Sequence, residues 1–198
     1  MATFRFRSYA MSQRMHKYAF PVSKARKYLE PGPVLLLSSQ YGDQHDIMTL
    51  GWHTVLEFSP SLVGCMIAGM NHSHELIRNS GQCVLNIPSA SLIDEVVAIG
   101  NSHGDSIDKF EAFGLTPEPA QVVGAPMIAE CFASFECQLY DDSMVANYNL
   151  FIFEIVKAHV AEQPEYPTTL HYTGEGRFSV MSDKILDKSG DFKPEMLI

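Results

Sequence analysis

From residue 34 to residue 89 the chain alternates short apolar runs with polar breaks, in a rhythm that predicts strands more than helices. Residues 34–39 read as a buried strand, and Tyr41-Gly42-Asp43-Gln44-His45 as the turn after it. From Met48 to Phe58 the side chains alternate. Met48, Leu50, Trp52, Leu56 and Phe58 fall on one face, with Thr49, Gly51, His53 and Glu57 on the other, which predicts one half-buried strand. Ser59-Pro60-Ser61 ends it, because proline fixes φ and donates no hydrogen bond. Residues 62–68 are apolar throughout, as a strand covered on both faces would be. A polar loop, Asn71-His72-Ser73-His74, then precedes a helix predicted over 75–80 and closed by Gly81, before another buried strand.

The rest of the chain continues the pattern. Residues 1–30 read as an irregular arm with a short helix at 23–29, and Pro31-Gly32-Pro33 punctuates. Ser91-Leu92-Ile93-Asp94 has the form of a capping box opening a helix to Gly100, and a second short helix is expected over 107–113. Residues 131–140 and 150–160 are long alternating runs expected to pair as neighbours, followed by a final strand reaching Met181 and a surface tail. Five or more strands with only brief helices predict a mainly β fold, a closed or partly open antiparallel barrel with helical insertions.

A chain of 198 residues suffices for one domain with a sizeable core. The expected division is a basic arm over 1–30, the main domain over 31–182 and a tail over 183–198. The formal net charge of −9 argues against nucleic acid as a partner. No apolar run is long enough to span a bilayer. The four cysteines show no C-x-x-C pairing, which points to a reducing, cytoplasmic setting without disulfides. No Asp or Glu precedes Glu30, whereas Arg5, Arg7, Arg14, Lys17, Lys24, Arg26 and Lys27 do. Such a start suits either an arm packed on a partner subunit or on the acidic body, or a cleaved targeting segment.

Two places carry candidate chemistry. Gly51 inside a strand pattern marks a bulge or a close approach of ligand to backbone, and the polar loop at 71–74 meets a helix start, a standard place for an anion. A flat ligand along residues 49–53 with a phosphate near 71–74 would use both; the alternative is a loop capped by its own polar residues. Gly100-Asn101-Ser102-His103-Gly104 matches G-x-S-x-G and keeps a serine hydrolase open as a remote alternative, although the elbow needs a strand before the serine and a helix after it. The histidines lack metal-ligand spacing, so no metal site is expected.

Several separate motifs resemble the flavin reductase-like, flavoredoxin-type FMN-binding proteins. They are Asp46-Ile47-Met48-Thr49-Leu50-Gly51-Trp52, Asn71-His72-Ser73-His74-Glu75-Leu76-Ile77, Cys83-Val84-Leu85-Asn86-Ile87-Pro88, Asp108-Lys109-Phe110 with Gly114-Leu115-Thr116, and residues 125–131. The resemblance covers about residues 31–180 and implies a Greek-key split barrel, a homodimer with flavin near the subunit interface, and FMN rather than FAD. It implies the flavin ring beside Met48, Thr49, Leu50, Gly51, Trp52 and His53, and the phosphate near Asn71, Ser73 and His74, with Asn86 and Lys109 as further contacts. It also implies redox chemistry with NAD(P)H or a partner protein as electron donor, or a carrier that holds flavin without turnover. No catalytic residue is singled out. The chain departs from the family where Tyr148 stands in place of a histidine associated with nicotinamide use, where Phe153 replaces a common glycine, and where the Ser-Gly-Arg-Asp type of loop reads Ser102-His103-Gly104-Asp105.

Overall fold

The computed structural model of the protein describes residues 13–181, 184–191 and 193. Arg5 and Arg7 of the expected basic arm, and much of the expected tail, lie outside the described residues. The strands are β1 (Lys17–Phe20), β2 (Leu35–Tyr41), β3 (Gln44–Leu50), β4 (His53–Glu57), β5 (Leu62–Met66), β6 (Gln82–Ile87), β7 (Pro117–Glu118), β8 (Met127–Ile128), β9 (Ala133–Asp141), β10 (Leu150–Ala161), β11 (Thr169–Gly174) and β12 (Arg177–Met181). The helices are α1 (Arg26–Leu29), α2 (His72–Ser80), α3 (Ile93–Gly100), α4 (Lys109–Ala112) and α5 (Val145–Tyr148).

The main sheet runs β3-β2-β6-β9-β10-β5-β4, with β1 added along β10, and its pairs are antiparallel. β3 and β4 stand at opposite ends of this order, yet only Gly51 and Trp52 separate them in the chain. Three Cα steps reach about 11 Å at most, so the sheet has to curl until its ends meet. The result is a barrel closed by covalent chain and left unpaired between β3 and β4. This is the split β-barrel expected from the sequence. The expectation of one strand from Met48 to Phe58 is corrected: the chain changes sheet neighbour at Gly51–Trp52, so Met48 and Leu50 enter the core while Trp52, Leu56 and Phe58 are exposed.

Period-2 sorting explains the packing. Leu35, Leu37, Met48, Leu50, Cys83, Leu85, Phe135 and Cys137 point into the barrel, where they meet Val63, Cys65, Phe151 and Phe153. Their neighbours Leu36 and Ile47 point outward and are covered by Leu92, Val96 and Ile99 around α3 and by Phe110 of α4. The inner strands are therefore apolar on both faces, as their sequence required. Other boundaries shift. α2 begins at His72, three residues before expectation, and α4 covers only the middle of the segment expected at 107–113. The predicted capping box does not form: Leu92 occupies the N-cap of α3, and the Ser91 hydroxyl pairs with that of Ser89. The arm is less irregular than expected, since β1 pairs with β10 and Lys17 donates to the carbonyls of Ile128 (2.9 Å) and Ala129 (3.2 Å).

One buried carboxylate fastens the loop that covers the far side of the barrel. Glu136 on β9 accepts the backbone N–H groups of Gln121 (3.0 Å), Val122 (2.6 Å) and Val123 (3.0 Å), and His159 Nε2 lies 2.6 Å from its Oε1. Burial pushes this carboxyl up, but the His159 contact and the three N–H donors together outweigh it and hold the group below its ordinary value of 4.5. A carboxyl lowered on folding stabilises the fold above its unfolded pKa and loses that contribution as pH falls through the folded one. Glu136→Gln is therefore expected to lower stability by about 1.5–3 kcal/mol at pH 7. The difference should shrink steadily below pH 4.5, as urea unfolding at several pH values would show. A deficit independent of pH would mean that the charge is not what holds the loop.

Candidate functional site

The open seam of the barrel forms a cleft of about 700 Å³. Its floor is the end of β3 with the link to β4, from Met48 through Thr49, Leu50 and Gly51 to Trp52. Val96, Val97 and Gly100 of α3, with Asn101 just beyond it, form one wall. Tyr172, Gly176 and Phe178 of the β11–β12 hairpin form another, and Val34, Met66, Ala68, Asn71 and Asn149 complete the lining. Thr49 is fixed by donating its hydroxyl to the Val96 carbonyl at 2.7 Å, which ties floor to wall. The hairpin turn Gly174-Glu175-Gly176 has all three residues at positive φ, and Leu170 roots the hairpin in the core beneath α3.

Gly51 is the informative floor residue. A Cβ added there would meet no protein atom within 4 Å, and its φ lies outside the left-handed range. Neither packing nor backbone conformation within the chain requires glycine at 51. The requirement it fits is access to the backbone from the cleft.

Beside the floor, α2 presents its start. Asn71 is its N-cap in extended conformation (φ −76°, ψ 135°), but the Asn71 side chain caps no N–H. The His74 N–H returns to the Asn71 carbonyl at 2.9 Å, leaving the first N–H groups of the helix without a side-chain acceptor. The loop reading at 71–74 is thus corrected to an N-cap and the first helical turn.

The other polar residues expected at a ligand turn inward. The hub is Asp46 on β3, whose side chain is 1% exposed. Lys109 Nζ sits 2.9 Å from Asp46 Oδ1 and donates to the Ile47 carbonyl at 2.6 Å, and Ser73 Oγ donates to Asp46 Oδ2 at 2.7 Å. Lys109 and Ser73 are both buried, so the structure brings them to Asp46 rather than to the cleft lining. Asn86 is also away from the cleft. Its amide donates to the Leu36 carbonyl and to Ser38 Oγ, both at 3.0 Å, and accepts from Ile128 N–H (3.1 Å) and Ser134 Oγ (2.8 Å), a saturated knot inside the sheet. His53 faces a separate groove; its Nε2 lies 2.7 Å from the Pro33 carbonyl, which can only accept, so that nitrogen carries the proton. Burial holds the His53 imidazole below its ordinary value, opposed in part by that hydrogen bond. His74 is half-buried with its ring edge-on to Phe151, 5.2 Å between centroids, and burial followed by the Arg78 charge lowers its pKa.

Sequence reasoning missed the hairpin wall of Tyr172 and Phe178 and the hub at Asp46. The hub had a signal: a lone Asp in an apolar strand needs a partner, and Lys109 and Ser73 were in view. The G-x-S-x-G loop is a helix ending. Ser102 follows α3 and donates back to the Ile99 carbonyl at 3.0 Å, without the strand–serine–helix turn that a hydrolase elbow needs. Gly104 in that loop presses against the Asp46 carboxylate so closely that any Cβ there would collide with it. Among the described residues no group of three or more His, Cys, Asp or Glu is placed to hold a metal ion, and no helix is long and apolar enough to cross a membrane.

An unpaired seam with an exposed glycine on its floor and a helix start beside it describe a split barrel with one open cleft. The chain belongs to the flavin reductase-like domain family, whose model matches residues 28–180. It is 32% identical over 130 residues to an uncharacterized protein of Pyrococcus abyssi, covering 66% of this chain and 74% of that one. Among solved structures it resembles an FMN-binding domain of a flavin reductases-like enzyme from Shewanella baltica, with a TM-score of 0.81, 22% identity, and coverage of 89% of this chain and all of that one. It also resembles the flavoredoxin of Desulfovibrio vulgaris (Miyazaki F), with a TM-score of 0.72, 21% identity, and coverage of 79% and 90%. At these identities the two structures speak for the fold.

Gly104→Ala forces a methyl group into the Asp46 carboxylate and is expected to cost about 1–3 kcal/mol of stability. Asp46→Ala, which removes the carboxylate that the methyl would meet, should destabilise the chain by itself by leaving buried Lys109 without its partner, but should largely remove the extra cost of Gly104→Ala in the double variant. Thermal unfolding of the four proteins tests this; strict additivity would mean that Gly104 and Asp46 do not press on each other in solution.

Proposed function

We propose that the seam cleft binds FMN non-covalently and that the protein is a cytoplasmic, homodimeric oxidoreductase exchanging electrons between that flavin and NAD(P)H or a partner protein. The observation that carries this reading is Gly51, a glycine with no reason inside the chain, on the floor of an apolar cleft of about 700 Å³. In this reading residues 31–182 form the flavin-binding domain. The backbone of residues 49–52 holds the ring, and the phosphate lies toward Asn71 and the start of α2, where free N–H groups and the helix dipole favour an anion. Ser73 and Lys109 act through Asp46, fixing the helix start against the floor strand. A single phosphate suits one helix start, which favours FMN over FAD. Bound FMN supplies reversible hydride and single-electron chemistry; the chain binds it, orients it and shields it from water.

Assembly into a dimer is supported by the apolar surface around the seam. Trp52 is 72% exposed, Met70 is 82% exposed, and the edge strand β4 carries exposed Leu56 and is followed by exposed Phe58. Tyr148, in the place of the family's histidine, is exposed and stands one residue before Asn149 of the lining. The second reading, a flavin carrier without turnover, draws on this departure. Steady NAD(P)H oxidation by the FMN-loaded protein would decide against it.

Gly51→Val should weaken FMN binding at least about tenfold, a loss of about 1.4 kcal/mol, without changing the circular dichroism. Asn71→Asp, which places a charge beside the proposed phosphate, should weaken FMN while leaving riboflavin nearly unchanged. Fluorescence titration with both flavins reads these effects. Wild-type FMN affinity in the Gly51 variant would remove the ring from the floor, and equal losses for both flavins in the Asn71 variant would move the phosphate elsewhere.

A further inference from the structure

The chemical character of the cleft bears on what else enters it. Among the described residues, none that lines it is Lys, Arg, Asp or Glu. Lys109, beside the floor strand, is buried and already paired with Asp46. The helix start at Asn71 serves one anion, and the formal charge of −9 repels others at longer range. A dinucleotide brings a pyrophosphate whose recognition relies on cationic forks or a second helix start. Among the described residues this cleft offers neither.

What it does offer is aromatic and apolar surface with a few amides. Trp52 stands at the floor end, while Tyr172 and Phe178 pair on the hairpin with ring centroids 5.2 Å apart and planes inclined at 58°. Val97 faces the cleft from α3, and Asn101 and Asn149 add neutral donors and acceptors. A planar uncharged ring keeps its contacts on such walls without stripping water from a charge, and a carbonyl or hydroxyl on it finds an amide partner.

We propose that the outer part of the cleft, between α3 and the β11–β12 hairpin, is a binding site for an uncharged aromatic carbonyl compound. The inference rests on the flavin reading for the cleft's first occupant and names the class of its second. The same walls reject the carboxylate counterpart of such a compound, because a carboxylate placed there would be desolvated without a cation to meet it.

The test uses a matched pair, 2-naphthaldehyde and 2-naphthoate, with NADPH as the third ligand, titrated by calorimetry into the full chain with and without FMN. The aldehyde is expected to bind at least about tenfold more tightly than the carboxylate, and more tightly than NADPH. Val97→Arg, at a 41% exposed wall position that tolerates a long side chain and with a guanidinium that forms no imine with the aldehyde, should reverse the order of aldehyde and carboxylate. Equal affinities for the pair, tighter binding of NADPH, or an unchanged order in the Val97 variant would overturn the proposal. The preference is expected with or without flavin, because the chain's own residues set it. Uptake of FMN without the preference therefore sinks this inference alone, and the preference without uptake of FMN sinks the flavin reading alone.

Discussion

The two-residue link at Gly51–Trp52 is the constraint on which the rest of the architecture depends. It ties together strands from the two ends of a curled sheet, so the barrel must close, but it closes through the backbone and not through a ladder of hydrogen bonds. Among the described residues β3 pairs only with β2, and β4 only with β5. Each keeps an unsatisfied edge along the seam, and an unsatisfied edge in a folded protein is covered, charged or used. Here the seam is bordered by α3 and the β11–β12 hairpin, which do not fill it. A cleft with backbone at its floor follows from the topology, before any particular side chain is considered.

Keeping that floor in register falls to Asp46. A carboxylate with almost no exposure costs several kcal/mol to desolvate unless partners meet it. Lys109 and Ser73 do so from two elements outside the barrel, α4 and α2. Their convergence places the start of α2 beside the floor strand, and Gly104 lets the connecting loop lie flat on the same group. Removing either partner would leave a buried charge, so the cluster either holds as a whole or opens as a whole. Glu136 plays a comparable part on the far side of the barrel, where its acceptors are filled mainly by backbone N–H groups.

Much of this was legible in the sequence, and the exceptions have physical reasons. The buried strands, the neighbouring pair β9–β10 and the αL end of α2 at Gly81 follow from period-2 alternation and glycine chemistry. The break at Gly51 was hidden because a strand can change neighbours without losing its alternation; the pattern from Met48 to Phe58 stays in phase while the face it describes changes from core to solvent. Ser73 and Lys109 look like ligand contacts in sequence because hydroxyls and amines are what bind phosphate. Only three dimensions show that Asp46 lies within reach of both. The hairpin wall could not be foreseen, since nothing local in Tyr172 or Phe178 says which surface the hairpin will stand over. The floor residues Met48 to Trp52 and Asn71, the N-cap of α2, line one cleft.

Trp52 is the single tryptophan of the chain, and it sits on the link that closes the barrel, 72% exposed. The protein's indole emission therefore comes from one point, the seam itself, with no second indole in the core to mask it. Whatever enters the cleft, covers its mouth or pries the two edge strands apart alters the surroundings of that one ring. The molecule carries its own optical probe at the joint where its strands fail to pair, so occupancy, assembly and opening of the barrel can be followed in the unlabelled native chain.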